Sequence, residues 1–553
     1  MDDLGEEERF IHVMIVESNI NGCMVLFQCL KSTLGPFGSD KLIVDDDGSY
    51  LTSNDGATIL RYLEIDHPAA RLLISCAKSQ DDTVGDGTTS VVLLTCLLLK
   101  NALSYLKQSI HPQSIQIGYN IGLDVALSLI DEIEIGFDVE KINSYQHHHQ
   151  QQRILYDVAS TSISSKILAR HKDHFARLGV ESILKLGGNR NQERIKIISI
   201  TGGSMLDSHL IDGVMLKYDS QRNRQRNYNF HSKTGNNTFN IIVGKLQLQS
   251  VQSDLHFVKL KANLQESNTT LHSKKIQEQD QLLYRNKIDI LLNLNVHVVI
   301  SDTDIPQYLE NLFLENNIEY FCIDDSRELE RISFVLGTKF VNDISTSLNM
   351  EMISKATNIE RVSIGDSIFL KISGIKNCDA ATVVLRSPTD TMSEECIRSF
   401  KDMLNILSSF IHNPYYIGGG GCAYLYIANK IRAKSKATDN VKLQFALNAF
   451  ADSLESIPLI LIQNAGFDGI ALLSKLKSIH EQTNDENNNN NLWKGVNLET
   501  GEIVDMLNDI NVKEPSFLLR NILKLATRAA QMILRINNNI LIEPKVAFKP
   551  PTS

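Results

Sequence analysis

The segment Val84-Gly85-Asp86-Gly87-Thr88-Thr89-Ser90 carries the densest chemistry in the chain, because the apolar helical run Val91–Leu99 follows it directly. Glycines on both sides of Asp86 permit a tight turn with unobstructed backbone. Thr88, Thr89 and Ser90 then fall at a helix N-terminus, where free N–H groups and the helix dipole attract a polyphosphate. An acid such as Asp86 beside an anion site makes sense when a divalent cation lies between them, and Mg2+ with oxygen ligands is the natural choice. Alone, the segment reads equally well as a capped helix start with threonine as the cap. Three further glycine turns accompany it: Thr33–Gly38, Ser53–Thr58 with a second acid in Asp55, and Gly418–Gly421 ahead of the helical stretch Ala423–Ile431. No GxxxxGK[ST] occurs and no GxGxxG follows a strand, which excludes a Walker A loop and a Rossmann site. Separated glycine turns with isolated acids point to a nucleotide site of another design.

These turns need a scaffold. From about Asn19 to Ile135 the pattern is helical, with Pro112 suited to a first helical position and Ile117, Ile121, Val125 and Leu129 recurring on one face. His147–Gln152 reads as a solvated loop. Between Gly213 and Gly374 the texture turns to mixed α/β: Phe239–Leu248 alternates like a strand, Val296–Ile300 reads as a buried strand, Pro306–Leu314 as a short helix and Ile318–Ile323 as another strand. That order predicts a parallel βαβ unit. The polar Gln249–Gln281 stretch reads as a protruding, weakly helical element. From Ile397 to Ile540 the chain is helical again, interrupted by the glycine run and by Asn487–Asn491, a tract too polar to offset its ordering entropy. Helical ends enclosing an α/β middle imply one domain assembled from both termini with another inserted in it.

Composition narrows the class. The chain has 553 residues, 42% apolar but only 7% aromatic with one Trp, so its core must be aliphatic. A net charge of −10 argues against a nucleic-acid partner. The longest apolar run, Val91–Leu99, is far short of a membrane span, so no membrane partner is expected. The acidic start MDDLGEEERF resembles neither a secretory signal nor a presequence, and eight Cys without a CxxC pair suit reduced thiols, so a cytoplasmic location is expected.

TLGPxGxDK (Thr33–Lys41), SNDGATIL (Ser53–Leu60), HPAA (His67–Ala70), VGDGTTSV (Val84–Val91) and NAGFD (Asn464–Asp468) together resemble the signature blocks of group II chaperonins. That family comprises the archaeal thermosome and the eukaryotic cytosolic chaperonin TRiC/CCT, and the blocks run in the family's order across nearly the whole chain. Within TRiC/CCT the beta subunit is the most similar, through SSKILARHKDHF (Ser164–Phe175), IERVSIGDSIFLKISG (Ile359–Gly374) and GGGC (Gly419–Cys422). The resemblance implies a multidomain α+β chaperonin fold. Residues 1–142 and 405–553 would form a mostly α-helical equatorial ATP-binding domain, 143–212 and 375–404 a small α/β intermediate hinge domain, and 213–374 an α/β apical client-binding domain with a lid protrusion at about 247–285. It implies ATP and Mg2+ as ligands, with Leu34, Gly35, Pro36, Gly87, Thr88, Thr89, Ser90, Lys166, Gly419, Gly420, Asp468 and Glu514 at the nucleotide. Asp55, Asp86 and Asp402 would form the hydrolytic set, Asp86 holding the metal and Asp402 orienting the attacking water. Partners would be the other subunits of a double eight-membered ring and unfolded clients such as actin and tubulin, met by the apical helix through Gln307, Tyr308 and Asn311.

The family pattern is broken in places. Phe37 stands for a usual Lys or Arg, Ser39 for Met, Ile397 for Glu, and Leu519 for the lysine that accompanies Glu514. All three acids survive, so a competent but weak ATPase is expected. The alternatives are a chaperonin-like scaffold without hydrolysis and a free-standing ATP-using transferase.

Overall fold

The computed structural model describes residues 6–45, 48, 50–139, 148–186, 194–211, 213–218, 238–246, 269–303, 305–323, 325–342, 344, 348–364, 367–375, 381–481 and 491–538. His147, the 247–268 part of the expected protrusion and residues 487–490 of the asparagine tract lie outside them. The chain forms two compact units: Met1–Val180 with Arg398–Ser553, and Glu181–Ile397. The first is assembled from both ends, as the helical termini predict. Its boundaries fall inside the segments 143–212 and 375–404.

The terminal unit is a helical core. Its helices are α1 (Glu6–Leu30), α2 (Gly56–Tyr62), α3 (Pro68–Val84), α4 (Thr88–Leu106), α5 (Pro112–Ile133), α6 (His148–Ile163) and the start of α7 (Lys172–Leu184). After the inserted unit come the rest of α11 (Asp390–His412), then α12 (Cys422–Lys436), α13 (Val441–Asn464), α14 (Gly469–Glu481) and α15 (Ser516–Leu534). α4 is the hub, packed against α1, α3, α13 and α15. Val91 to Leu99 are buried without exception, which is why that run has no polar face. By length and mean hydropathy, 13–33, α4 and α13 would each be apolar enough to cross a membrane. α13 instead packs against α4, α5, α12 and α14 in this unit.

Small sheets stitch the loops. β1 (Lys41–Val44) and β2 (Tyr50–Ser53) form a hairpin, as do β15 (Lys494–Val496) and β16 (Ile503–Asp505). β14 (Tyr415–Gly418) lies between β3 (Ile135–Gly136) and β17 (Lys513–Pro515), both antiparallel to it. These strands interrupt stretches expected to be purely helical.

Two local expectations change. α5 starts at Pro112, and of the expected stripe Leu129 is buried and Ile121 and Val125 half-buried, but Ile117 is exposed and the buried face centres on Ile115, Tyr119, Leu123, Ala126 and Ile130. The deciding residues are Gly118 and Gly122: a Cβ on Gly118 would lie 2.3 Å from Ala446 Cβ, and one on Gly122 would lie 3.1 Å from the Phe450 ring. Close helix approach through small residues, not the larger aliphatic stripe, selects the face toward α13. His148–Gln152, expected in a loop, forms the first turns of α6. Glutamine is a good helix former, and buried Leu155, Val158, Ala159 and Ile163 anchor the helix behind it.

The inserted unit is α/β. β7 (Phe239–Val243), β8 (Val298–Ser301) and β9 (Glu319–Cys322) run parallel, with β10 (Ser354–Ala356) antiparallel at one edge. α8 (Thr269–Asn293) and α9 (Gln307–Glu315) cover one face through Tyr284, Ile288, Leu309 and Phe313. α10 (Ser326–Val335) covers the other, with β6 (Gly213–Tyr218), β11 (Asn358–Ile364) and β12 (Ser367–Ser373) sharing that core. The β8–α9–β9 crossover is the predicted βαβ unit. A third sheet joins β13 (Ala381–Ser387) to β4 (Ile195–Thr201) in parallel and to β5 (His209–Ile211) antiparallel. On α9, Gln307 and Asn311 are exposed, and Tyr308 is half-buried with its hydroxyl accepting from Arg285 Nε at 3.2 Å.

Gly118→Ala tests the α5–α13 packing. Alanine normally stabilises a helix interior by about 0.5–1 kcal/mol over glycine, but overpacking costs about 1–3 kcal/mol. The variant is expected to melt below wild type by circular dichroism; a higher melting temperature would refute the close approach.

Candidate functional site

The Asp86 turn is built by two helix ends. Gly85 closes α3 and Gly87 opens α4, both in the left-handed region at φ 78° and 80°, which an L side chain at either position would strain. Gly87 supplies no side chain, so the first N–H groups of α4 carry no side-chain cap. The capped-start reading with threonine therefore does not hold. Asp86 Oδ1 accepts from Gly87 N at 2.7 Å, and Gln80 Nε2 donates to Asp86 O at 2.9 Å from the buried side of the turn.

Three more segments meet this helix end. The Thr33–Gly38 turn is closed by Gly38 N to Gly35 O at 3.0 Å and Ser39 N to Ser32 O at 2.7 Å. Asn464 holds it from α13, donating from Nδ2 to both Lys31 O and Leu34 O at 2.9 Å. Asp55 caps α2, accepting from Thr58 N at 2.9 Å and from Thr58 Oγ1 at 2.7 Å, and Arg398 Nη1 donates to that hydroxyl at 2.7 Å. On the far side, Glu514 pairs across β17 with Ile417, and its Oε1 accepts from Gly420 N at 3.3 Å while Gly419 N donates to Val512 O at 3.0 Å.

The lysine and the third acid meet. Lys166 Nζ donates to Asp402 Oδ2, their side chains 8% and 18% exposed. Burial alone would lower the Lys166 pKa, but Asp402, Asp86 and Asp55 outweigh it and hold the ammonium well above its ordinary value. Burial raises Asp402, with Lys166 pulling it down and Asp55 and Asp86 pushing it further up. The three acids and the lysine thus share one electrostatic neighbourhood. Burial also lifts Glu514 to about 7, the Gly420 N–H opposing and Asp86 reinforcing the rise.

These groups surround a cavity of about 740 Å3 lined by Leu34, Gly35, Pro36, Asp55, Asp86, Gly87, Thr88, Thr89, Ser90, Lys166, Gly420 and Glu514. Three expected residues do not line it. Asp402 sits behind Lys166, and Gly419 is engaged through its backbone with Val512. Asp468 is exposed and caps α14, its Oδ1 accepting from Ile470 N and Ala471 N at 3.1 Å. In the NAGFD block Asn464 bears on the site indirectly, by holding the Leu34 turn, and Asp468 does not. Lining residues not anticipated from sequence include Ser162, Ser164, Asn497, Glu499 and Lys513; isolated polar residues scattered over a helix, loops and a strand give no signal of convergence. Phe37 lines the cavity yet is 46% exposed, and Leu519 is a buried core residue of α15.

The fit for a magnesium–nucleotide complex is good. An uncapped helix N-terminus and the Lys166 ammonium suit phosphate, while Asp55 and Asp86 demand positive charge. Among the described residues no cluster of three or more His, Cys, Asp or Glu could hold a metal alone. Mg2+ characteristically takes one or two carboxylates and draws its other ligands from phosphate and water, which matches a single acid such as Asp86.

The family model describing the TCP-1/cpn60 chaperonin family matches residues 26–544. The chain is 33% identical to T-complex protein 1 subunit beta of Saccharomyces cerevisiae, over 95% of this chain and 94% of that protein. It is 30% identical to the Homo sapiens subunit beta, over 95% and 93%. It is also 30% identical to thermosome subunit beta of Sulfolobus acidocaldarius, over 94% and 90%. With the match running through both units and every segment that lines the cavity, this chain belongs to the TCP-1/cpn60 chaperonin family.

Proposed function

We propose that this chain is a beta-like, ATP-hydrolysing subunit of a cytoplasmic double-ring chaperonin with eight-membered rings, and that it drives the folding of client proteins such as actin and tubulin. The observation that carries the reading is the convergence of Asp55, Asp86 and the Lys166–Asp402 pair on the open N-terminus of α4. ATP is the substrate. Its phosphates lie against the α4 N–H groups and the hydroxyls of Thr88, Thr89 and Ser90, with Gly35 and Gly420 giving backbone access. Glu514 lines the same cavity. Asp86 would hold a magnesium ion, which would supply charge neutralisation to the phosphates.

Lys166 covers Asp402 in the free site. A terminal phosphate competes for the same ammonium, and once Lys166 turns to it Asp402 is released to take the proton of the attacking water. A carboxyl raised by burial is suited to that task. The terminal unit acts as the equatorial domain, the β4–β13–β5 layer as the intermediate domain, and the β7–β8–β9 region as the apical domain. There α8 belongs to the base of a lid, and the exposed face of α9 at Gln307, Tyr308 and Asn311 meets clients. Retention of all three acids favours this over a scaffold without hydrolysis. Size-exclusion chromatography separates both from a free-standing transferase, which would elute as a small species and not as a particle.

Asp402→Asn is expected to lower this subunit's single-turnover hydrolysis by about 10²-fold or more while fluorescent-ATP binding stays within a few-fold. Unchanged hydrolysis would place the base elsewhere. Glu514→Gln tests the buried carboxyl. Because the folded pKa lies above the ordinary value of 4.5, its stabilising contribution is complete below pH 4.5 and lost as pH rises through about 7. In nucleotide-free protein the variant is expected to melt a few degrees above wild type at pH 8 and to lose that advantage at pH 5, read by differential scanning calorimetry. An equal difference at both pH values would contradict the burial.

A further inference from the structure

One buried ion pair at the edge of the cavity lies outside the set of Asp55, Asp86, Lys166 and Asp402. Lys513 and Asp157 are 7% and 6% exposed. The Lys513 ammonium donates to Asp157 Oδ2 and, at 3.2 Å, to Asn511 Oδ1. The backbone N–H of Lys513 donates to Thr161 Oγ1 at 3.2 Å, and Thr161 Oγ1 donates to Asp157 O at 2.8 Å. Lys513 opens β17 and immediately precedes Glu514; Asp157 and Thr161 lie one turn apart on α6. Side chain and backbone of one residue therefore fasten the last turn of α6 to the strand that carries Glu514.

Ser164, Ser165 and Lys166, just past α6, line the same cavity as Glu514. Lys166 N donates back to Ile163 O at 3.0 Å, so two residues separate the helix end from the lysine. Asn54 Nδ2 donates to Ser165 O, tying the same stretch to the Asp55 turn. A displacement of the α6 terminus cannot be absorbed over so short a span. Desolvating two charges this fully returns little net stability compared with apolar residues of the same size, and the best attested use of such a pair is to fix register.

We propose that Lys513 is a positioning residue for the nucleotide: by holding Asp157 and Thr161 it sets the separation of Glu514 from Lys166, both of which line the cavity. The inference rests on the nucleotide reading of the cavity. Lys513 acts through α6 and not by touching phosphate, because its ammonium is already engaged by Asp157 and Asn511. Lys166 serves the terminal phosphate, so loosening the fastening penalises the triphosphate more than the diphosphate.

The test is equilibrium binding of fluorescent ATP and fluorescent ADP to the purified full chain. Asp157→Asn and Lys513→Gln are each expected to weaken ATP about tenfold and ADP less than about threefold, since small misplacements of a positioned group are costly. The double variant should bind no worse than either single one, because both remove the same contact. Lys513→Arg, which keeps the charge, should restore the preference for ATP. A merely structural pair would lower the melting temperature and leave the ATP-to-ADP ratio alone, and that result in Asp157→Asn overturns the proposal. Asp157→Asn is isosteric and decides the matter if Lys513→Gln does not fold. Wild-type chain that binds neither nucleotide would instead overturn the nucleotide reading itself.

Discussion

Crowding of negative charge around one helix end is the constraint on which the terminal unit depends. Asp55, Asp86, Asp402 and Glu514 come from four separate segments, and mutual repulsion would favour their dispersal. Burial sharpens the conflict, lifting Glu514 and Asp402 away from the ordinary carboxylate range. Two features oppose it within the protein: the N-terminal dipole of α4 and the ammonium of Lys166, which answers to three of the acids at once. A cavity lined by Asp55, Asp86, Glu499 and Glu514, with Lys166 held by Asp402 and Lys513 by Asp157, suits an additional cation, and a cation there would in turn make room for a polyphosphate.

Holding such a site together requires rigid supports on every side, and the packing supplies them. α4 is packed against α1, α3, α13 and α15 with Val91 to Leu99 all buried, so the N–H groups at its start cannot retreat. Each turn facing them is pinned by a side chain from elsewhere in sequence: the Thr33–Gly38 turn by Asn464, the Asp55 turn by Arg398 through Thr58, and the Glu514 strand by Asp157 and Thr161 of α6. These are charged or bifurcated hydrogen bonds in partly buried surroundings, stronger than neutral contacts in water.

The sequence disclosed the site more fully than the packing around it. GDGTTS ahead of an apolar run announces an anion-binding helix start by local chemistry, and α4 forms where that predicts. Blocks of glycine with an acid are likewise legible one at a time. Their convergence is not, because Asp402 and Lys166 are 236 residues apart and nothing local links a solvated-looking helix lysine to its partner; only the family resemblance brought them together. The misread face of α5 has a similar origin. Periodicity weighs large aliphatics, but Gly118 and Gly122 decide which face another helix can approach. Asp468 illustrates the converse, an acid in a signature block whose carboxylate is spent on the start of α14.

Covalent connectivity sets the Lys166–Asp402 pair close in sequence to both points where the chain crosses between the units. The chain leaves the terminal unit within α7, which begins at Lys172, six residues after Lys166. It returns within α11, and Asp402 lies four residues past the crossing at Ile397 and Arg398. Both crossings are helices, so neither can take up a displacement by flexing a loop. On the proposed reading, a terminal phosphate that draws Lys166 from Asp402 uncouples the two helical links at the point where they are joined, and its hydrolysis lets them rejoin. The contact between Lys166 and Asp402 then has two states, set by competition between a carboxylate and a phosphate for one ammonium.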